Sequence, residues 1–340
     1  VVDFVESPVG PVPCLATRLG WWDRLGTLRA RLGLRRHDYR VAPGLYCVGR
    51  PDRQAPVLVT ANYKLTLDTL RQNLTDISAW LLVLDTRGVN VWCAAAHHTF
   101  GTAELVNRLV LSRLDQVVTH RRLIVPQLGA AGVSAQRTRK ECGFEVLWGP
   151  LRAVDLPDFL AHGGRADQAM RELTFTLGER LVLTPVELTL ALKPALLVLA
   201  GLFLISGLGP GIFSLAAAGT RWLLAAPALL AGLLSGAVLV PAFLPWLPFR
   251  AFYLKGLVAA LPLAGLFWWG SGAGSGAESA ALVLLGLAVS SYAAMNFTGA
   301  TPYASPSGVE KEMRQGIPLQ LGMVLAALVL WLSAPFLGGG

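Results

Sequence analysis

The 340-residue chain is 54% hydrophobic, only 15% charged and carries a net charge of +8. Six of its 29 Lys and Arg residues and three of its 21 Asp and Glu residues lie from Lys193 onward, so it reads as a soluble half joined to a membrane half. No nucleic-acid-binding module can be picked out, and no nucleic acid partner is expected.

Residues 1–55 form a basic N-terminal segment. Arg29, Arg31, Arg35 and Arg36 with Trp21 and Trp22 suit either a helix lying on anionic membrane lipid or a solvated helix face. No charged N-region with a short apolar core and cleavage site is present, so a secretory signal is not expected. Cys14, Cys47, Cys93 and Cys142 are widely spaced without Cys-x-x-Cys, which fits a reducing compartment and argues against a zinc or iron–sulfur site in this chain.

Between residues 56 and 185 four apolar runs, Pro56–Thr60, Trp80–Asp85, Leu123–Pro126 and Phe144–Trp148, alternate with helical patterns at Leu67–Leu74, Thr102–Leu111 and Ser134–Cys142. That alternation predicts a Rossmann-like α/β domain, a parallel sheet with flanking helices. Thr66 or Asp68 is the expected cap of the first helix and Thr99 or Thr102 that of the second, with Glu104 in its first turn. Open parallel sheets bind ligands beyond the carboxyl ends of their strands. Those ends carry Thr60-Ala61-Asn62, Asp85–Asn90, Gln127-Leu128-Gly129-Ala130-Ala131-Gly132 with Val133, and Gly149-Pro150. Such small or polar residues admit a large planar ligand, and they equally suit ordinary turns. Neither Gly-x-Gly-x-x-Gly nor Walker spacing occurs, so a nucleotide is not indicated.

Cys93 follows the second run, in the loop before a helical turn. Backbone N–H groups and the helix dipole would favour its thiolate there, the form that binds metals. The competing reading is a small apolar residue packed by Trp92, Ala94 and Ala95. Cys142, beside Arg139, Lys140 and Glu141, has a similar claim to thiolate character. His97 and His98 are neighbours on a helix and face different directions, and His120 reads as structural.

Residues 186–340 form an all-α transmembrane domain of five expected helices, Leu190–Leu208, Arg221–Phe243, Ala251–Gly270, Ser279–Met295 and Ile317–Phe336. Arg250, Lys255, Lys311 and Arg314 lie in alternate loops, whereas the loops near 207–220 and 270–279 are almost free of cations. The positive-inside rule then puts the N-terminal domain in the cytoplasm, on a multi-pass protein of the inner membrane.

Asn90-Val91-Trp92-Cys93-Ala94-Ala95, Thr99-Phe100-Gly101-Thr102 and Pro126-Gln127-Leu128-Gly129 together resemble the HgcA family, the membrane-bound corrinoid proteins of microbial mercury methylation. The likeness extends to Val59–Lys64, Gly132–Ala135, Gly149-Pro150, Asn296–Gly299, Thr301–Tyr303 and Ser307–Val309, and thus over nearly the whole chain. The soluble half is also similar to the corrinoid-binding domain of the corrinoid iron–sulfur protein. The resemblance implies that residues 56–185 bind cobalamin or a related corrinoid, with Cys93 as lower axial ligand of cobalt. The cradle would comprise Thr60, Asn62, Asn90–Ala95, Thr99–Thr102, Gln127–Ala130, Gly132, Val133, Gly149 and Pro150. It implies methyl transfer from corrinoid to Hg(II), a methyl donor linked to methyltetrahydrofolate, and a ferredoxin-like partner, HgcB, with four-iron four-sulfur clusters. The partner's docking surface is expected at Ala300–Gln315, whose Glu310, Lys311, Glu312 and Arg314 read equally as topology anchors. One departure stands out: Ala96-His97-His98 occupies the place of the family's usual Gly-Lys-Gly. It motivates a second reading, a membrane-tethered corrinoid methyl carrier with another acceptor. A transporter with a cytoplasmic sensor domain ranks third, because the expected spans are almost free of ionisable groups.

Overall fold

The structure is a computed structural model and describes residues 1–270 and 276–337. The chain divides into two compact units, Val1–Thr174 and Phe175–Gly340.

In the N-terminal unit β1 (Asp3–Val5), β2 (Val12–Cys14), β3 (Gly44–Val48), β4 (Val57–Ala61), β5 (Ala79–Leu84), β6 (Arg122–Val125) and β7 (Glu145–Trp148) form one sheet. Its order is β1-β2-β3-β5-β4-β6-β7. The four strands expected from the apolar runs make its parallel part. The whole sheet is mixed rather than parallel, because β3 runs antiparallel to β5 and β1 antiparallel to β2. The reason is the link from β3 to β4, which contains no helix; a parallel return needs a crossover of a dozen or more residues. The first 55 residues thus supply three strands to this sheet, together with α1 (Trp21–Arg31).

Every residue of β4 and β5 is buried, as expected for strands covered on both faces. Val57, Val59, Ala61, Leu82 and Leu84 pack on one face with α3 (Val91–Ala96), α4 (Thr102–Leu111) and α5 (Leu114–Val117). On the other face Leu58, Leu81 and Val83 pack with α2 (Lys64–Gln72) and α7 (Leu156–Ala161). The remaining helix, α6 (Ala135–Cys142), is entered through Ser134, whose hydroxyl accepts the Arg137 N–H at 3.3 Å. The expected caps of the two earlier helices are corrected: Tyr63 precedes α2 and Gly101 precedes α4.

Asp68 joins a charge cluster instead of capping. It accepts from Lys64 at 2.6 Å and pairs with Arg71 at 2.7 Å, while Asp23 of α1 pairs with the same two cations at 2.6 and 2.8 Å. This clasp ties α1 to α2. Burial alone would raise the Asp23 carboxyl, but hydrogen bonds from Lys64 and Arg71 outweigh it and hold it at about 2 against an ordinary 3.8.

In the C-terminal unit α8 (Leu177–Leu181) leads into α9 (Thr184–Ser206), followed by α10 (Leu215–Leu234). One wide turn of π-helix, Ser235–Leu239, carries α10 into α11 (Val240–Phe243); then come α12 (Phe252–Gly270), α13 (Gly276–Phe297) and α14 (Pro306–Leu337). Four helical stretches are long and apolar enough to cross a membrane, Leu177–Ser206, Leu215–Phe243, Gly276–Ala300 and Ser307–Leu337. The expected five are therefore corrected to four. The remaining one is a shorter apolar helix, Phe252–Trp268. The cation-poor loop expected at 270–279 falls largely outside the described residues.

Small residues let these helices approach closely: a Cβ on Gly236 or Gly256 would meet the Ser290 carbonyl at 2.3 or 2.5 Å. Arg221, expected at the start of a span, is buried inside α10. It pairs with Glu278 at 2.8 Å, lies 4.3 Å over the Trp331 ring and donates to the Ser206 and Trp331 carbonyls. Lys255 is likewise buried, donating to the carbonyls of Leu244 and Leu247. The segment expected as a loop to Gln315 is helical from Pro306, and Glu312 is used within the unit, accepting from Phe252 N–H and the Thr298 hydroxyl.

Because Asp23 ionises more readily folded than unfolded, its contribution is complete above pH 3.8 and is lost as pH falls through about 2. Asp23→Asn is expected to lower the urea midpoint of the detergent-solubilised chain at neutral pH, and the gap from wild type should close as the pH is lowered toward 2. A gap independent of pH would contradict the clasp.

Candidate functional site

Asn62, at the end of β4, organises the turn after β5. Its side-chain oxygen accepts from Thr86 N–H (3.1 Å), the Thr86 hydroxyl (2.9 Å) and Gly88 N–H (2.9 Å), and its amide nitrogen donates to Asp85 at 3.0 Å. Arg87 and Gly88 take positive φ values of 57° and 76°, which turns the chain sharply toward α3. Glu104 in the first turn of α4 accepts the Asp85 N–H at 2.9 Å and pairs with Arg108 at 2.7 Å. Thr86 and Glu104 are scaffold residues outside the expected cradle; the sequence signals were the strand-end turn Asp85–Asn90 for Thr86 and a place in the first turn of its helix for Glu104.

Asn90 caps α3, its side chain accepting the Cys93 N–H at 2.9 Å. Cys93 therefore lies within the first turn of the helix and not in a loop before it. Val91, Ala94 and Ala95 face the core, while Trp92 and Cys93 are half-buried. Burial pushes the Cys93 thiol above its ordinary value, with the Asn90 hydrogen bond and the Arg36 charge acting the other way. The expected thiolate preference is thus corrected: at rest Cys93 holds its proton.

The other cysteines are occupied in the scaffold. Cys14 and Cys47 are buried register partners on β2 and β3, with Cys47 pushed up to about 12 by burial and by the neighbouring Cys14. Cys142 donates to the Thr138 carbonyl at 3.0 Å, and burial raises it too, which corrects its claim to thiolate character. His120 bridges Ala55 O and Arg122 N–H, a structural role, while His97 and His98 are exposed.

Close approach fixes the other side of α3. Phe100 is fully buried, and its N–H donates to the Ala94 carbonyl at 3.0 Å. A Cβ on Gly129 would sit 2.5 Å from the Phe100 ring, and one on Gly132 2.2 Å from the Phe100 carbonyl and 3.0 Å from that of Ala95. Thr102 N–H donates to Gly132 O, and the Thr102 hydroxyl accepts from Ser134 N–H at 2.8 Å, stitching Gly101-Thr102 to the loop after β6. Thr99 donates to the Ala94 carbonyl at 3.3 Å. Leu128 and Val133 pack on the core, Ala130 is exposed, and Gln127 accepts from Arg171 at 2.7 Å, a partner the sequence reading missed. Thr60, Gly149 and Pro150 are buried, and Gly149 N–H continues the ladder to Val125 O.

Most of the predicted residues thus build the platform, and Trp92, Cys93, Thr99 and Ala130 remain at least partly open at its rim. This fits a broad, flat cofactor: a soft sulfur donor sits among small residues, and Gly129 and Gly132 keep the loop close to α3 where a Cβ would force it away. Tyr63, the residue after Asn62, adds a buried hydroxyl without a hydrogen-bond partner, and Arg36 lies 5.8 Å from its ring centroid. Among the described residues no group of three or more His, Cys, Asp or Glu side chains is gathered to hold a metal ion.

Residues 28–160 match the protein family described as CO dehydrogenase/acetyl-CoA synthase delta subunit. The chain is 36% identical over 132 residues to the acetyl-CoA decarbonylase/synthase complex subunit gamma of Methanopyrus kandleri, covering 38% of this chain and 28% of that protein. Its likeness to the subunit of the same name from Archaeoglobus fulgidus is 34% over 118 residues, or 34% and 25% of the two chains. It is 31% identical over 122 residues to the corrinoid/iron-sulfur protein large subunit of Moorella thermoacetica, covering 35% and 27%. The chain spans about a quarter of the length of these relatives, and the family match falls within the N-terminal unit.

Gly132→Ala should displace Phe100 or Ala95 and cost about 2 kcal/mol. His98 takes a φ of 60°, in the left-handed region that favours glycine, and His98→Gly should stabilise by about 1 kcal/mol. Urea midpoints of the two variants on opposite sides of wild type are the expected result; a neutral Gly132→Ala would refute the close approach.

Proposed function

We propose that the N-terminal unit binds a cobalamin-type corrinoid over the carboxyl ends of β4, β5, β6 and β7, and that the chain transfers a methyl group from it to Hg(II). The observation that carries this reading is where the family match falls: residues 28–160 include the Asn90-capped turn that holds Cys93, and the chain also resembles, over 122 residues, a protein named for a corrinoid.

Trp92, Thr99, Ala130 and the backbone of Gly129–Gly132 would hold the macrocycle, and Cys93 Sγ would be the protein's donor to its cobalt. When bound, the corrinoid would supply a methyl group for transfer with its bonding electrons to a soft electrophile, which an electron-rich sulfur donor would favour. Cys93 must first surrender its proton, and the Asn90 cap holds the residue in place for that role. Binding is accordingly favoured as pH rises, because the thiol titrates above its ordinary value.

The ferredoxin-like HgcB, with four-iron four-sulfur clusters, is the proposed electron donor, and a methyltetrahydrofolate-linked pathway the proposed source of methyl groups. The four long apolar helices support a membrane anchor, and an inner-membrane protein with its N-terminal unit in the cytoplasm is the location proposed for it. The exposed Ala96-His97-His98 in place of Gly-Lys-Gly favours one alternative, a tethered corrinoid methyl carrier with a different acceptor.

The test is anaerobic reconstitution with cobalamin followed by gel filtration and a methyl-transfer assay on Hg(II). Retained corrinoid with methylmercury formation, and a loss of at least about a hundredfold in rate with Cys93→Ala, is expected. Retained corrinoid without methylmercury would support the carrier, and an apoprotein that stays colourless would refute both readings.

A further inference from the structure

α1 is inverted relative to an ordinary surface helix. Its inward positions are small or polar: Ala30 is 1% exposed, Asp23 is held by Lys64 and Arg71, and a Cβ on Gly26 would lie 2.5 Å from the Tyr39 ring. Its apolar ridge points outward. Trp21, Leu25 and Leu28 follow one another at i, i+4 and i+7 along the opposite side, with Trp21 72%, Leu28 54% and the neighbouring Trp22 79% exposed.

At 100° per residue Arg24 and Arg31 flank this ridge on one side and Arg29 on the other. All three are exposed, and among the described residues none is in an ion pair. Asp23 is the helix's only acidic residue, and it is turned inward and neutralised. The outer face therefore combines indoles, leucines and unopposed arginines.

We propose that α1 is an interfacial helix that docks on the anionic headgroup surface of the membrane crossed by the C-terminal unit. Indole rings favour the headgroup level, where one end of the ring is apolar and the other wet. Flanking guanidinium groups are attracted by anionic lipid at about 1 kcal/mol each. Connectivity keeps such a surface within reach, because the N-terminal unit ends at Thr174 and the first stretch long enough to cross begins at Leu177. A second copy of the helix is the weaker occupant: 11 residues make fewer than two heptads, and arginines would face arginines. The inference rests on the membrane reading of the C-terminal unit and not on the corrinoid.

Hydrogen exchange of the full chain, followed by mass spectrometry, tests it in nanodiscs of phosphatidylcholine alone and of phosphatidylcholine with phosphatidylglycerol. Amides of residues 21–32 should exchange about tenfold more slowly with the anionic lipid, and the difference should shrink as salt rises. Two variants should abolish it, Trp21→Ser/Leu25→Ser/Leu28→Ser and Arg24→Gln/Arg29→Gln/Arg31→Gln, while β4 and β5 stay protected as evidence of an intact fold. Equal exchange in both lipids would overturn the proposal. So would protection that follows protein concentration instead of lipid charge, which would assign the ridge to a second copy.

Discussion

Everything at the candidate site depends on how tightly α3 is held between two neighbours. On one side Asn62 spends both ends of its side-chain amide on the Asp85–Gly88 turn that delivers the helix. On the other, Gly129 and Gly132 let the loop after β6 press against Phe100 and Ala95 at distances that no Cβ would tolerate. A six-residue helix has little stability of its own, so its position is set by this tertiary grip and by the Asn90 cap. The grip carries Cys93 with it.

The same economy explains why so few polar side chains at the strand ends are left for a ligand. Asn62, Thr86 and Thr102 satisfy buried or half-buried backbone groups that would otherwise be costly to desolvate, and Glu104 holds the exposed Asp85 N–H. What stays open is a rim of Trp92, Cys93, Thr99 and Ala130, which in the proposed reading would hold a large planar group by area and by a single directional bond. Burial, which raises the thiol's hold on its proton, disfavours a reactive thiolate; in the proposed reading the cobalt would compete for it.

The parallel part of the sheet was legible because β4, β5, β6 and β7 are short apolar runs separated by helical periodicity. The strand β3 was missed although Leu45-Tyr46-Cys47-Val48 lies between two glycines with positive φ. Its pairing with β5 is non-local, and nothing within the run specifies it. The residues named for the site were mostly placed around α3 and the strand ends, but sequence does not separate a glycine needed for close approach from one needed for a turn. Arg36 and Arg171 approach from segments distant in sequence and carried no local signal. In the C-terminal half hydropathy located the helices, and four of the five expected spans fall on helical stretches long and apolar enough to cross a membrane. The buried Arg221–Glu278 pair was hidden because ends judged by charge placed both residues at the edges of spans, whereas the helices run past them.

Cobalt K-edge X-ray absorption on the corrinoid-loaded chain tests the central claim most directly, because it reads the atoms bound to cobalt rather than the fate of the methyl group. A sulfur scatterer in the wild type that disappears in Cys93→Ala is the predicted result. Nitrogen and oxygen scatterers alone in both proteins would contradict it, and would return Cys93 to the packing of α3.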